Sequence, residues 1–398
     1  MIERALRTQI TERLRSFPAV VILGARQVGK TTLARTFSNI YYDLEQAEDR
    51  LRLDVQWHDL IRSKEVVILD EAQNDPSLFV RLRSAIDDDR KRNGRFMILG
   101  SVSPGLMKAV SEFLTGRVAL CELNPVSLLE IPFDQEDMLW FKGGYPDGGI
   151  LQVGQFPVWQ QNYLQMLALR DLPVWGMPAR PPMIGRFFRM LAAGNGQAWN
   201  ASQIGKSLGV SYHTVNSYLD YLEEAYLIRR LQPYYINIRK RLVKSPKVFW
   251  RDSGLLHNLL GVPTMDDLLV QPWVGASWEG WVIEQILACL NILGLSFDGP
   301  YHLRTTDGHE LDLVFRLGSV TYAIEIKLSS SPGTDDMKRL RKAAEIIGAE
   351  KQVLISRTVQ PVENEAVMST NLRGFLNHLI RDRAPIIRST TPSFHPKS

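Results

Sequence analysis

Gly24-Ala25-Arg26-Gln27-Val28-Gly29-Lys30-Thr31 places two glycines with four residues between them directly ahead of Lys-Thr, and Thr32 follows. This spacing lets backbone N–H groups wrap around phosphate oxygens where a strand turns into a helix. Lys30 is then expected to reach the β- and γ-phosphates of a bound nucleotide, and Thr31 to offer its hydroxyl to Mg²⁺. The apolar run Val66-Val67-Ile68-Leu69 ends on Asp70-Glu71. The first carboxylate can hold the same Mg²⁺ and the second can polarise an attacking water, which turns binding into hydrolysis. Ser101, at the end of the run Phe96 to Leu99, could position that water or be an ordinary loop serine. Arg117, after Gly116, could reach a neighbouring subunit's γ-phosphate or form a surface ion pair.

A second constellation lies near the C-terminus. Glu310 to Phe315 and Val320 to Lys327 read as strands joined by a tight turn, with Gly318-Ser319 as its two loop residues. Counting outward places Asp312 opposite Glu325, with Lys327 on the same face. Facing carboxylates repel unless a cation joins them, so this arrangement suggests Mg²⁺ held by Asp312 and Glu325. Lys327 could orient water or stabilise a phosphorane. Glu279, on a helix expected over Trp278 to Leu290, is a fourth candidate, with Glu284 as its substitute. The same spacing also fits a solvated strand pair with an ion bridge.

Between these constellations the charge is uneven. Pro178 to Arg251 carries twelve Lys and Arg against three Asp and Glu, although the whole chain is only +4. Within it, Gln203 to Gly209 and Tyr212 to Glu224 read as helix, glycine turn and helix, the second capped by Ser211. Val215, Leu219 and Leu222 form the stripe that must face a core. Tyr212, His213, Asn216 and Ser217 are left near an exposed end that could meet DNA. Arg229-Arg230 in a hairpin wing, then Arg239, Lys240, Arg241 and Lys244, add charge suited to phosphates. Such folds also serve as protein-docking modules.

Three apolar runs, Ala19 to Leu23, Val66 to Leu69 and Phe96 to Leu99, must carry the first site as buried parallel strands of a three-layer α/β domain. A length of 398 residues, 45% of them hydrophobic, exceeds what one core usually organises. The expected division is an ATPase domain over 1–140, a helical lid with winged helix over 141–245, an α/β domain over 246–388 and a tail over 389–398. Cys121 and Cys289 are far apart and lack partners at metal spacing, which argues against a disulfide framework and a zinc site. No segment reaches the ~18 uninterrupted apolar residues of a membrane span. A cytoplasmic protein is expected.

Taken together, Gly24 to Thr32, Leu69-Asp70-Glu71-Ala72-Gln73, Gly116-Arg117, Gly143-Gly144-Tyr145-Pro146, Lys244-Ser245-Pro246-Lys247 with Asp252-Ser253-Gly254-Leu255, and Glu310-Leu311-Asp312 with Glu325-Ile326-Lys327 resemble the prokaryotic AAA-type ATPases. These carry a C-terminal domain of unknown function related to the PD-(D/E)xK nucleases. The resemblance implies ATP and Mg²⁺ roles for Lys30, Thr31, Asp70 and Glu71. It places Glu279, Asp312, Glu325 and Lys327 at nuclease-fold positions, although Leu311 stands where the nuclease motif has proline. An ATPase core followed by a winged helix is also similar in architecture to hexameric branch-migration motors. The first functional expectation is therefore a Mg²⁺-dependent ATPase that binds duplex or branched DNA and remodels it or moves along it as a ring. The second is a nucleotide-gated regulatory or defence switch acting on a protein partner. Active nuclease chemistry in the C-terminal domain is a third.

Overall fold

The computed structural model describes residues 2–100, 104–152, 154–234 and 244–389. The chain forms two compact units. The first comprises residues 1–194, 200–229 and 250–268, and the second residues 195–199, 230–249 and 269–398.

The first unit is built on five strands, β1 (Ala19–Leu23), β2 (Tyr41–Asp43), β3 (Val67–Asp70), β4 (Phe96–Leu99) and β5 (Val118–Glu122), in the order β2-β3-β4-β1-β5. Every pairing is parallel. All five residues of β1 and all four of β3 and of β4 are buried, as expected for strands covered on both faces. The phosphate loop leaves the C-terminal end of β1, and Asp70 closes β3. Both therefore open at the edge where open α/β sheets bind ligands. The three expected strands are present. Beyond them, β2 has only three residues, and β5 alternates in burial, so neither forms a buried apolar run.

Helices follow the sheet. Val158–Met166 runs into a π turn at Leu167–Asp171, and Pro181–Ala193 comes after it. Ala201–Leu208 and Tyr212–Glu224 form the expected helix-turn-helix. Gly209 turns the chain at φ +74°, and Ser211 Oγ accepts the Thr214 N–H at 3.1 Å. Val215, Leu219 and Leu222 are fully buried, as their spacing required.

The second unit holds a sheet of eight strands: β6 (Ile228–Pro233), β7 (Lys247–Trp250), β8 (Phe297–Arg304), β9 (Glu310–Leu317), β10 (Val320–Ile326), β11 (Lys351–Ser356), β12 (Val362–Glu363) and β13 (Val367–Asn371). Their order is β12-β13-β11-β10-β9-β8-β6-β7. β9 and β10 form the expected antiparallel hairpin, in register from Val320 opposite Leu317 to Ile324 opposite Leu313. β10 and β11 are parallel, and helix Thr334–Ile347 lies between them in sequence. Its Leu340, Ala343 and Ala344 pack with Leu311, Val314 and Ala323 of the hairpin.

Arg229-Arg230 lie on β6, which pairs in parallel with β8 and is also hydrogen-bonded to β7, the next strand in sequence, inside the larger sheet. One expectation needs correction: the border expected at residue 245 lies elsewhere, because residues 250–268 return to the first unit. The reason is local packing. Asp252 Oδ2 accepts the Gly144 N–H at 2.8 Å while Oδ1 caps helix Ser253–Leu259 through the Leu255 N–H at 2.9 Å. His257 Nδ1 lies 2.7 Å from the Phe141 carbonyl oxygen.

Candidate active site

The residues at the C-terminal edge of the smaller sheet assemble as the loop spacing predicts. Gly24, Gln27 and Gly29 have φ of +143°, +62° and +95°, which folds the loop tightly. A Cβ on Gly24 would lie 2.3 Å from the Leu123 carbonyl oxygen, so no other residue fits there. Lys30 is buried and donates to the carbonyls of Gly24 and Ala25, each at 2.8 Å. Burial pushes its amine down to about 8, against the pull of Glu71 and Asp70. Thr31 Oγ1 donates to Asp70 Oδ2 at 2.6 Å, and the Tyr41 hydroxyl donates to the same oxygen at 2.9 Å. Hydroxyl and carboxylate oxygens side by side are the donors a hard divalent cation takes, so Thr31 and Asp70 fit Mg²⁺. Glu71 adopts φ +49°, a region L-residues seldom occupy, and Gln73 Nε2 donates to its Oε2. Gln27, Gly29, Lys30, Thr31, Thr32, Asp70 and Glu71 line a cleft of about 1190 Å³, ample for a nucleoside triphosphate.

Three lining residues carried no recognisable signal in the sequence. Arg4 donates from Nε to Glu130 Oε1 at 3.0 Å, from Nη1 to the Val28 carbonyl at 2.7 Å and from Nη2 to the Asn124 carbonyl at 2.6 Å. It thus braces the phosphate loop from below. Asp171, on the π turn, is paired with Arg26 of the loop, and the Tyr163 hydroxyl donates to the Arg26 carbonyl at 3.2 Å. Ser101 lies outside the described residues. Arg117 forms a two-pronged pair with Asp87 at 2.9 and 2.8 Å, on its own chain and at the surface.

On the helix-turn-helix, Tyr212 is 49% exposed and His213 is exposed, while Asn216 and Ser217 are half-buried. Tyr212 and Lys206 border a shallow depression at the turn. Lys244 is exposed and Arg229 and Arg230 are half-buried; Arg239, Lys240 and Arg241 lie outside the described residues. On its far side the same helix is tied down: the Tyr218 hydroxyl donates to the Pro178 carbonyl at 3.0 Å and the Tyr221 hydroxyl to the Gly176 carbonyl at 2.8 Å.

In the second unit Asp312 and Glu325 are both buried, on adjacent strands. Asp312 Oδ2 accepts the Ile326 N–H at 2.8 Å, and Lys327 pairs with Glu325 at 2.5 Å. Glu279 is the helix acid that meets Lys247, a residue with no recognisable role in the sequence, at 2.9 Å. Burial, then the charge of Asp312, pushes Glu279 and Glu325 up to about 8. Lys247 is raised: burial lowers it, and Glu279, Asp312 and Glu310 together outweigh that effect. Among the described residues, no group of three or more His, Cys, Asp and Glu side chains is placed to hold a metal ion. Cys121 and Cys289 are free and buried, and among the described residues no helix is long and apolar enough to cross a membrane.

Residues 16–132 match the AAA domain family, residues 134–266 a domain of unknown function (DUF8612), and residues 274–373 a second domain of unknown function (DUF4143). Two proteins described as uncharacterized, Rv2008c of Mycobacterium tuberculosis and Mb2031c of Mycobacterium bovis, are each 34% identical over 374 residues, covering 91% of this chain and 83% of theirs. Among solved structures, a Signal Transduction ATPase with Numerous Domains (STAND) protein with a tetratricopeptide repeat sensor, from Pyrococcus horikoshii, aligns at 13% identity and TM-score 0.29, over 74% of this chain and 47% of that one. AMPPCP-bound DnaA from Aquifex aeolicus gives 13% and 0.27 over 55% and 86%, and VC1899 from Vibrio cholerae gives 12% and 0.23 over 92% and 98%. Likenesses of that size carry neither fold nor activity across. The AAA domain match and the phosphate-loop geometry together make residues 16–132 an AAA-type, nucleotide-hydrolysing ATPase domain. The chain belongs to one family with the mycobacterial proteins Rv2008c and Mb2031c, and an AAA-type ATPase domain forms its N-terminal part.

Proposed function

We propose that this ATPase binds DNA through its helix-turn-helix and couples hydrolysis to remodelling of DNA or movement along it. One observation carries the reading. The chain segment that leaves the nucleotide cleft at Asp171, paired with Arg26, is the segment whose Gly176 and Pro178 carbonyls anchor Tyr221 and Tyr218 of the second helix. A change at the phosphate loop therefore has a short mechanical route to the exposed Tyr212 end of that helix. The excess of Lys and Arg in the sequence from Pro178 to Arg251 suits a polyanion.

Within the cleft, Lys30 would neutralise the terminal phosphates and Glu71 would take the proton of the attacking water. Thr31 and Asp70 would hold Mg²⁺, which, when bound, offsets charge developing on the phosphates. The test is ATP turnover by wild type and Glu71→Gln, each alone and with single-stranded, duplex and four-way-junction DNA. Stimulation of wild type by one DNA form supports the reading and names the substrate. Equal turnover with and without every DNA moves the assignment to a switch gated by a protein partner.

A further inference from the structure

Lys247 on β7 is 5% exposed, yet it carries a charge into the second unit. Its Nζ stands 2.9 Å from Glu279 Oε1, 3.0 Å from Glu310 Oε1 and 3.5 Å from Asp312 Oδ1. Helix Val274–Ile292 supplies one of these acids and β9 the other two. An ammonium has three N–H donors, and here three carboxylates surround it. Burying such a charge is costly unless it is paired in this way.

We infer that Lys247 is the resident cation of this cluster and closes it to divalent metal ions. The oxygens stand about 3 Å from a nitrogen, whereas Mg²⁺ requires oxygens drawn in to roughly 2.1 Å in near-octahedral order. The second oxygen of Asp312 is already committed to the Ile326 N–H, so it cannot turn towards a second cation without breaking a strand contact. Lys327, which spacing placed on one face with Asp312 and Glu325, pairs with Glu325 and is about one-third exposed. Asp312, one of the two carboxylates that suggested a metal centre, thus serves with Glu279 and Glu310 an internal ion cluster joining β7, β9 and the long helix.

The experiment is a Mn²⁺ titration of the nucleotide-free full chain, read by electron paramagnetic resonance. Wild type and Asp312→Asn are expected to bind Mn²⁺ identically. Lys247→Ala is expected to gain one saturable site, which the added Asp312→Asn change removes. A site in wild type that Asp312→Asn abolishes would overturn the inference, as would a folded Lys247→Ala protein that gains nothing. Where Lys247→Ala does not fold, the comparison of wild type with Asp312→Asn decides alone. Asp70 is unchanged in every arm, so the outcome is independent of the ATPase and DNA reading.

Discussion

Arg26 of the phosphate loop and Asp171 of the π turn are ion-paired across 145 residues of sequence, and both line the nucleotide cleft. Tyr163 reinforces the link through the Arg26 carbonyl. An anionic ligand beside Arg26 competes with Asp171 for the guanidinium. Removing the competing carboxylate should therefore tighten nucleotide binding. For Asp171→Asn, the loss of one like charge near the phosphates is worth about 1 kcal/mol, roughly fivefold in affinity. Calorimetric titration with a non-hydrolysable ATP analogue checks this, and weaker binding would show that Asp171 holds Arg26 in place for the ligand.

Glu71 and Lys30 should separate turnover from binding. Glu71→Gln keeps the shape of the side chain but not its basicity, so turnover should fall by about 10² to 10⁴ while nucleotide binding persists. Lys30→Ala leaves the phosphates without their buried cation and should lose binding itself. Single-turnover hydrolysis with a parallel binding titration distinguishes the two. Equal loss of binding in Glu71→Gln would place Glu71 in holding the ligand rather than in the chemistry.

How legible each part was depended on how local its signal is. The phosphate loop, Asp70 at a strand end and the β9–β10 hairpin are set by spacing within a few residues, and the structure shows all three. The stripe Val215, Leu219 and Leu222 was legible for the same reason. Arg4, Asp171 and Lys247 were not, because their ion-pair partners Glu130, Arg26 and Glu279 lie 126, 145 and 32 residues away and no local pattern marks an ion pair made by tertiary packing. Asp312 and Glu279 stand where the strand and helix patterns put them, yet the cation they meet comes from a strand whose sequence says nothing about them.

Gly254 should tolerate no side chain. A Cβ there would lie 1.9 Å from the Lys142 carbonyl oxygen and 2.8 Å from the Gly143 nitrogen, which are backbone atoms with little room to yield. Gly254→Ala is expected to cost about 2–4 kcal/mol by overpacking. Gly275, near the start of the long helix, has open space around its Cβ position and no positive φ, so Gly275→Ala should instead stabilise by about 0.5–1 kcal/mol. Denaturant unfolding of both variants against wild type tests the contrast. Similar effects at the two positions would mean that helix propensity, not the Asp252 and Gly143 junction, sets the cost.

His257 should make the first unit sensitive to acid. Burial pushes its imidazole down to about 4, against a weaker opposing pull from the Phe141 carbonyl, so Nδ1 carries a hydrogen and the ring stays neutral in the folded chain. In the unfolded chain it returns to the ordinary histidine value of 6.5. Between these two values the unfolded state binds the extra proton, so this histidine's contribution to stability falls as pH drops from 6.5 to 4 and is constant above that window. The slope is about 1.4 kcal/mol per pH unit across the window. Nearby Asp252 works the other way, since burial raises it to about 6 and its protonation in the folded state favours folding in mild acid. A direct comparison isolates the histidine: the stability difference between wild type and His257→Gln should shrink as pH falls from 6.5 towards 4. A difference that is flat across that range would show that the ring is already charged in the folded protein or reached by water.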